Sequence, residues 1–94
     1  MHLVTFTFDV HREDQDLFVQ KLETLKAFWE REGIAYALYQ DKTQGTRFLQ
    51  TLLTDKSVDE ITRLIHDDPQ IKSVFELIKS SAGRVIVSFM DRVV

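Results

Sequence analysis

The feature that most constrains this chain is a repeated switch in hydrophobic period along its length. Residues 3–10 alternate: Val4, Phe6, Phe8 and Val10 fall on one side, and Leu3, Thr5, Thr7 and Asp9 on the other. A period of two with aromatic and β-branched residues specifies a strand. Over residues 13–32 the period lengthens to that of a helix. Phe18, Leu22, Leu25 and Trp29 recur on one stripe, joined by Leu17 and Phe28. Glu13, Asp14 and Asp16 occupy the first turn, where the helix dipole favours anions, and Gly33 stands where a glycine ends a helix. Two further strands follow, at 34–41 and 46–54. The polar link Lys42-Thr43-Gln44-Gly45 between them predicts a hairpin.

The second half repeats the switch. Ser57-Val58-Asp59-Glu60 is a capping box, in which Ser57 caps the Glu60 N–H and the Glu60 side chain reaches back. Ile61, Leu64 and Ile65 form an apolar stripe. Asp59–Arg63 and Arg63–Asp67 are spaced as exposed i,i+4 ion pairs. Pro69 then interrupts. Proline inside a helix costs about 3 kcal/mol but suits the first helical position. Asp68 therefore reads as an N-cap, and Pro69 as the start of a second segment striped by Ile71, Val74, Phe75 and Ile78 and closed by Gly83. Residues 84–94 form the last strand, with Val85, Val87 and Phe89 opposite Ile86, Ser88 and Met90.

Strand, helix, hairpin, broken helix, strand is the order of one ferredoxin-like α+β domain, βαββαβ, spanning residues 1–94. The expected form is a four-stranded antiparallel sheet with helices on one face. A sheet buried on one face reads polar on the other. Here Ile34, Tyr36 and Leu38 oppose Ala35, Ala37 and Tyr39, while Phe48 and Leu52 oppose Leu49 and Leu53. Both faces are apolar, and a domain this small has a thin core. The open face is therefore expected to be covered by a partner.

Composition removes several classes of function. The chain has no Cys, which excludes disulfides, zinc–cysteine and iron–sulfur sites and a thiol nucleophile. Twelve Lys and Arg are spread among fifteen Asp and Glu, a net charge of -3 that gives no basic footprint for nucleic acid. No apolar run is long enough for a membrane span, and the first residues do not read as a signal peptide, so a cytoplasmic protein is expected. His2, His11 and His66 lack metal-ligand spacing, and Asp9, Glu13, Asp14 and Asp16 lack the calcium-loop pattern. There is no phosphate-cradling glycine loop and no serine elbow. Neither a metal nor a cofactor is expected.

The stretch Arg47-Phe48-Leu49-Gln50-Thr51-Leu52-Leu53-Thr54-Asp55-Lys56-Ser57, running from a strand straight into the capped helix, carries a family resemblance. So do Ile65-His66-Asp67-Asp68-Pro69-Gln70-Ile71 and Val74-Phe75 at the helix break. On these residues the chain resembles the dimeric α/β-barrel superfamily, and within it the antibiotic-biosynthesis-monooxygenase-like domains. The resemblance implies two chains paired through their sheets. It also implies a cofactor-independent oxygenase that holds a small aromatic or quinol-type substrate in an apolar cavity. Members often carry a His, or in the haem-degrading branch a Trp, near the end of the first helical segment. Ile65 falls there, with His66 beside it. The haem-degrading branch also needs an Asn on its first strand and a His on the second segment. This chain has no Asn, and Phe75 falls at the His position, so haem degradation is not implied.

Four residues are candidate ligand contacts: Phe6, Trp29, Tyr36 and His66. Trp29 and Tyr36 each carry a polar atom on a flat apolar body, and His66 carries an imidazole beside the helix break. Each has a plainer reading. Aromatic stripes build cores, and a histidine at a helix end complements the dipole. No catalytic residue is assigned. Two functions stay open, a monooxygenase-like enzyme and a non-catalytic dimeric module that binds a small effector or a protein. The enzyme reading expects an apolar pocket between helices and sheet with one or two convergent polar groups. Solid aromatic packing there counts against it.

Overall fold

The computed structural model describes residues 1–82 and 84–94; the helix end read at Gly83 lies outside the described residues. Strand β1 (His2–Asp9) leads through a 3-10 turn (Arg12–Asp14) into helix α1 (Gln15–Arg31). Strands β2 (Ala35–Gln40) and β3 (Arg47–Thr54) form the hairpin. Helices α2 (Val58–Asp67) and α3 (Pro69–Ala82) follow, and strand β4 (Val85–Asp91) closes the order. The sheet is antiparallel throughout, ordered β2-β3-β1-β4. It is a ferredoxin-like α+β fold with the helices on one face.

The local signals work as their chemistry dictates. Gly33 takes φ 78°, the left-handed region open to glycine, and the Gly33 and Ile34 N–H groups donate back to Glu30 and Trp29 carbonyls. In the hairpin, Asp41 Oδ1 accepts from the Thr43 and Gln44 N–H groups at 2.7 and 2.8 Å, and these bonds hold its carboxyl below the usual range. Ser57 and Glu60 form the capping box. Asp68 Oδ1 accepts from Gln70 and Ile71 N–H at 2.9 and 3.1 Å, so α3 starts at Pro69 with its own cap. Ser57→Ala removes one capped N–H and is expected to lower stability by about 1 kcal/mol, measured as a shift of the urea midpoint with unchanged slope.

Two expectations are corrected. Leu17 does not join the α1 stripe and is about half exposed. It is one residue, or about 100° of helix, away from Phe18, which takes the inward position. The spaced pairs Asp59–Arg63 and Arg63–Asp67 do not close among the described residues. The i,i+4 pair that does form is Lys26–Glu30, at 3.9 Å on α1.

The core fills the layer between helices and sheet. Val4, Phe6 and Phe8 from β1 and Phe48 and Leu52 from β3 meet Phe18, Leu22, Leu25 and Trp29 from α1. Ile61, Ile71, Val74 and Ile78 complete it from α2 and α3. Phe8 meets Phe18 edge-on at 5.2 Å, and Phe6 meets Phe75 edge-on at 5.1 Å.

The other face is organised in rows set by the register. Met90, Leu3, Leu53 and Ala35 form one row; Ser88, Thr5, Thr51 and Ala37 the next; Ile86, Thr7, Leu49 and Tyr39 the third. A strip of small residues thus runs between two rows of larger apolar ones. Leu53, Ile86, Met90 and Tyr39 are 41 to 58% exposed. Edge strand β4 is open on its helix side as well, where Val87 and Phe89 are each 45% exposed. No helix of the described residues is long and apolar enough to cross a membrane.

Candidate functional site

Gln50 is the residue out of place. It lies on β3 in phase with Phe48 and Leu52, facing the helices, and is 1% exposed. Its cross-strand neighbours on that face are Phe6 on β1 and Leu38 on β2. From the diagonal position on β2, the Tyr36 hydroxyl donates to Gln50 Oε1 at 3.1 Å. That bond satisfies the amide's acceptor and leaves its donor. Gln50 Nε2 is buried with no partner among the described residues, and so is the indole Nε1 of Trp29. A buried donor without an acceptor costs about 1–3 kcal/mol, so two in one small core call for an explanation.

Tyr36 is not a base. Burial pushes its phenol well above the ordinary value of 10.0, which keeps it protonated as a hydrogen-bond donor. The layer therefore holds three polar groups, two of them free donors, on otherwise apolar and aromatic walls.

Of the four residues marked in the sequence, the structure brings Phe6, Trp29 and Tyr36 into this layer. Phe6 sits in the centre of β1, 2% exposed and packed against Phe75, which makes it a core residue. Trp29 is fully buried, its ring edge-on to Phe28 at 5.5 Å. His66 stands apart, exposed on the last turn of α2. An exposed helix end gives it solvent instead of the cleft a ligand contact needs. Gln50 was not among the marked residues. Its signal was present, because a polar side chain in the inward phase of an apolar strand is the exception a buried-site search looks for.

The layer itself is packed with aromatic and aliphatic side chains, which counts against an enclosed pocket in the single chain, and the hollows beside it are open grooves. One of about 380 Å³ runs between α1 and β2, walled by Val19, Leu22, Tyr36 and Leu38, with Glu23 and Lys26 on the α1 side. Two more flank the open sheet face. The first, about 370 Å³, is lined by Leu3, Leu53 and Met90; the second, about 260 Å³, by Thr7, Tyr39 and Leu49. At that second end Arg47 pairs with Asp9 at 3.6 Å, tying β3 to β1. No cluster of His, Asp and Glu among the described residues could hold a metal ion.

Comparison with known proteins supports the architecture. No protein-family profile matches the sequence, and no curated protein does. Solved structures do match over essentially the whole chain. A protein from Deinococcus radiodurans, provisionally assigned as an antibiotic biosynthesis monooxygenase, is similar with TM-score 0.81. It is 18% identical and covers 100% of this chain and 94% of its own. A protein from Nitrosomonas europaea with the same provisional assignment has TM-score 0.81 at 10% identity, covering 100% of both chains. A conserved protein from Methanosarcina mazei has TM-score 0.82 at 16% identity, covering 98% of this chain and 92% of its own. The class of protein defined by these features is a small ferredoxin-like α+β domain. Its fold is shared with these solved structures, several of which are described as antibiotic biosynthesis monooxygenases.

Proposed function

We propose that the protein is a cofactor-independent, monooxygenase-like enzyme acting on a small phenol or quinol, with its substrate held between the helices and the sheet. The observation that carries this reading is the pair of unpartnered buried donors, Gln50 Nε2 and Trp29 Nε1, in an aromatic layer. Donors fixed in a dry site stabilise negative charge on an oxygen far better than water-exposed ones. A phenol bound there loses its proton to solvent more readily, and the resulting electron-rich ring supplies the four electrons that reduce O2 to one carbonyl oxygen and one water. One oxygen atom then replaces the two hydrogens of a ring CH2 in the keto tautomer, and the other leaves as water with those hydrogens. For 1-naphthol the balance is one O2 consumed, one 1,2-naphthoquinone and one water formed.

The second copy belongs to the same proposal. The open face offers two rows of larger apolar side chains with a strip of small ones between them, and a hollow at each end beside protruding Met90 and Tyr39. Relief of this kind can be self-complementary across a two-fold axis. A homodimer buries the exposed apolar residues and closes the sheets into a barrel.

An oxygen electrode with 1-naphthol tests the activity. Stoichiometric uptake is expected from the wild type, with kcat/KM lowered on the order of 100-fold in Gln50→Met, the size seen when one donor to a developing oxyanion is removed. A second reading, a non-catalytic effector-binding dimer, draws on the absence of a base from the layer, since Tyr36 stays protonated. Tight binding of aromatic phenols with no oxygen uptake favours it.

A further inference from the structure

We propose that the groove between α1 and β2 is the route into the layer, that Tyr36 is its gate, and that the ligand is a fused two-ring aromatic with two adjacent oxygens. This rests on the reading of the layer as a ligand site and adds to it the path and the shape of what binds.

Two of the residues walling the groove are Gln50's own neighbours. Leu38 lies directly opposite Gln50 across the β2–β3 pairing, and Tyr36 is hydrogen-bonded to it. Both are half-buried, on a strand at the edge of the sheet, where only one side is held by the ladder. Rotation of the Tyr36 ring toward the groove breaks one hydrogen bond and uncovers the whole carboxamide. No other side chain hydrogen-bonds to that amide among the described residues.

The uncovered amide sets the ligand's chemistry. It presents an acceptor, Oε1, and a donor, Nε2, side by side. A single hydroxyl or carbonyl satisfies one of them. A vicinal diol satisfies both, one oxygen donating to Oε1 in place of Tyr36 and the other accepting from Nε2. The apolar walls of Val19, Leu22 and Leu38 suit ring faces, and a groove of about 380 Å³ has room to admit a frame of two fused rings.

Calorimetric titration with 2,3-dihydroxynaphthalene, against 2-naphthol as the single-hydroxyl control, tests the proposal. The wild type is expected to prefer the diol by at least tenfold, and Gln50→Met to lose that preference. Tyr36→Phe removes the competitor for Oε1 and is expected to bind the diol about fivefold more tightly, the factor one hydrogen bond of average strength gives. A tyrosine that contacts the ligand directly would weaken binding on the same substitution, and that result overturns the gate. Val19→Trp and the rim variant Glu23→Trp fill the groove from its two depths and are expected to weaken binding tenfold or more. If the wild type binds the diol and both groove variants bind it equally well, the route is wrong while the ligand site stands. If the wild type binds neither naphthol, the site and the route both fail.

Discussion

Leu53→Asp is expected to be a folded monomer at concentrations where the wild type is expected to sediment as a dimer. Leu53 lies in the Met90, Leu3, Leu53, Ala35 row of the open face and is 41% exposed in the single chain, so an aspartate there costs the protomer little. In a sheet-to-sheet dimer the same carboxylate is desolvated against apolar side chains, twice over by symmetry. An unpaired charge buried in such an interface costs about 3 kcal/mol or more, a factor on the order of 100 in the dissociation constant per copy. Analytical ultracentrifugation at micromolar concentration, with circular dichroism to verify folding, separates the two states. A wild type that is itself monomeric there refutes the pairing.

Phe6→Ala carries the largest expected loss of stability, about 3–5 kcal/mol in urea unfolding. Its ring is buried in the middle of β1 and meets Phe75 edge-on at 5.1 Å, so truncation leaves a cavity in the centre of the core. The contrast is with Tyr36→Phe/Gln50→Met. That double change replaces a donor, an acceptor and an orphaned amide by apolar groups of similar shape, and is expected to leave stability unchanged or raise it by about 1 kcal/mol. Residues kept for packing and residues kept for binding then separate by experiment. Phe6 fails in stability, while the Tyr36–Gln50 pair fails in ligand affinity with the fold intact. A double variant as unstable as Phe6→Ala would assign the polar pair to the fold instead.

Much of the fold could be read before any coordinates, because local chemistry decides it. The Ser57–Glu60 box, the Asp68 cap before Pro69 and the left-handed Gly33 are each settled by residues within one turn of one another. The apolar second face was legible for the same reason, since alternation along one strand needs no knowledge of its neighbours. The site was less legible because it depends on register. Whether Tyr36 reaches Gln50 is set by the β2–β3 pairing, which places Leu38 opposite Gln50 and Tyr36 opposite Leu52. A slip of one residue would turn Gln50 toward the open face. His66 shows the converse limit. Its sequence position beside the helix break was readable, but its outward orientation depends on how α2 packs against α3. Leu17 was misplaced by a single helical step, which periodicity alone resolves poorly when two apolar residues are adjacent.

The central claim is that the unpartnered donors of Gln50 and Trp29 exist for a ligand. The chain has one tryptophan, so the indole N–H gives a single nitrogen–proton cross-peak that needs no assignment beyond its region. The most direct test is to follow that peak and the Gln50 side-chain amide by NMR during titration with 2,3-dihydroxynaphthalene. A donor that acquires an oxygen acceptor shifts downfield. The account predicts that both signals begin at positions typical of free donors and move downfield together, saturating with the binding curve. Binding that shifts other resonances while leaving these two in place would contradict it.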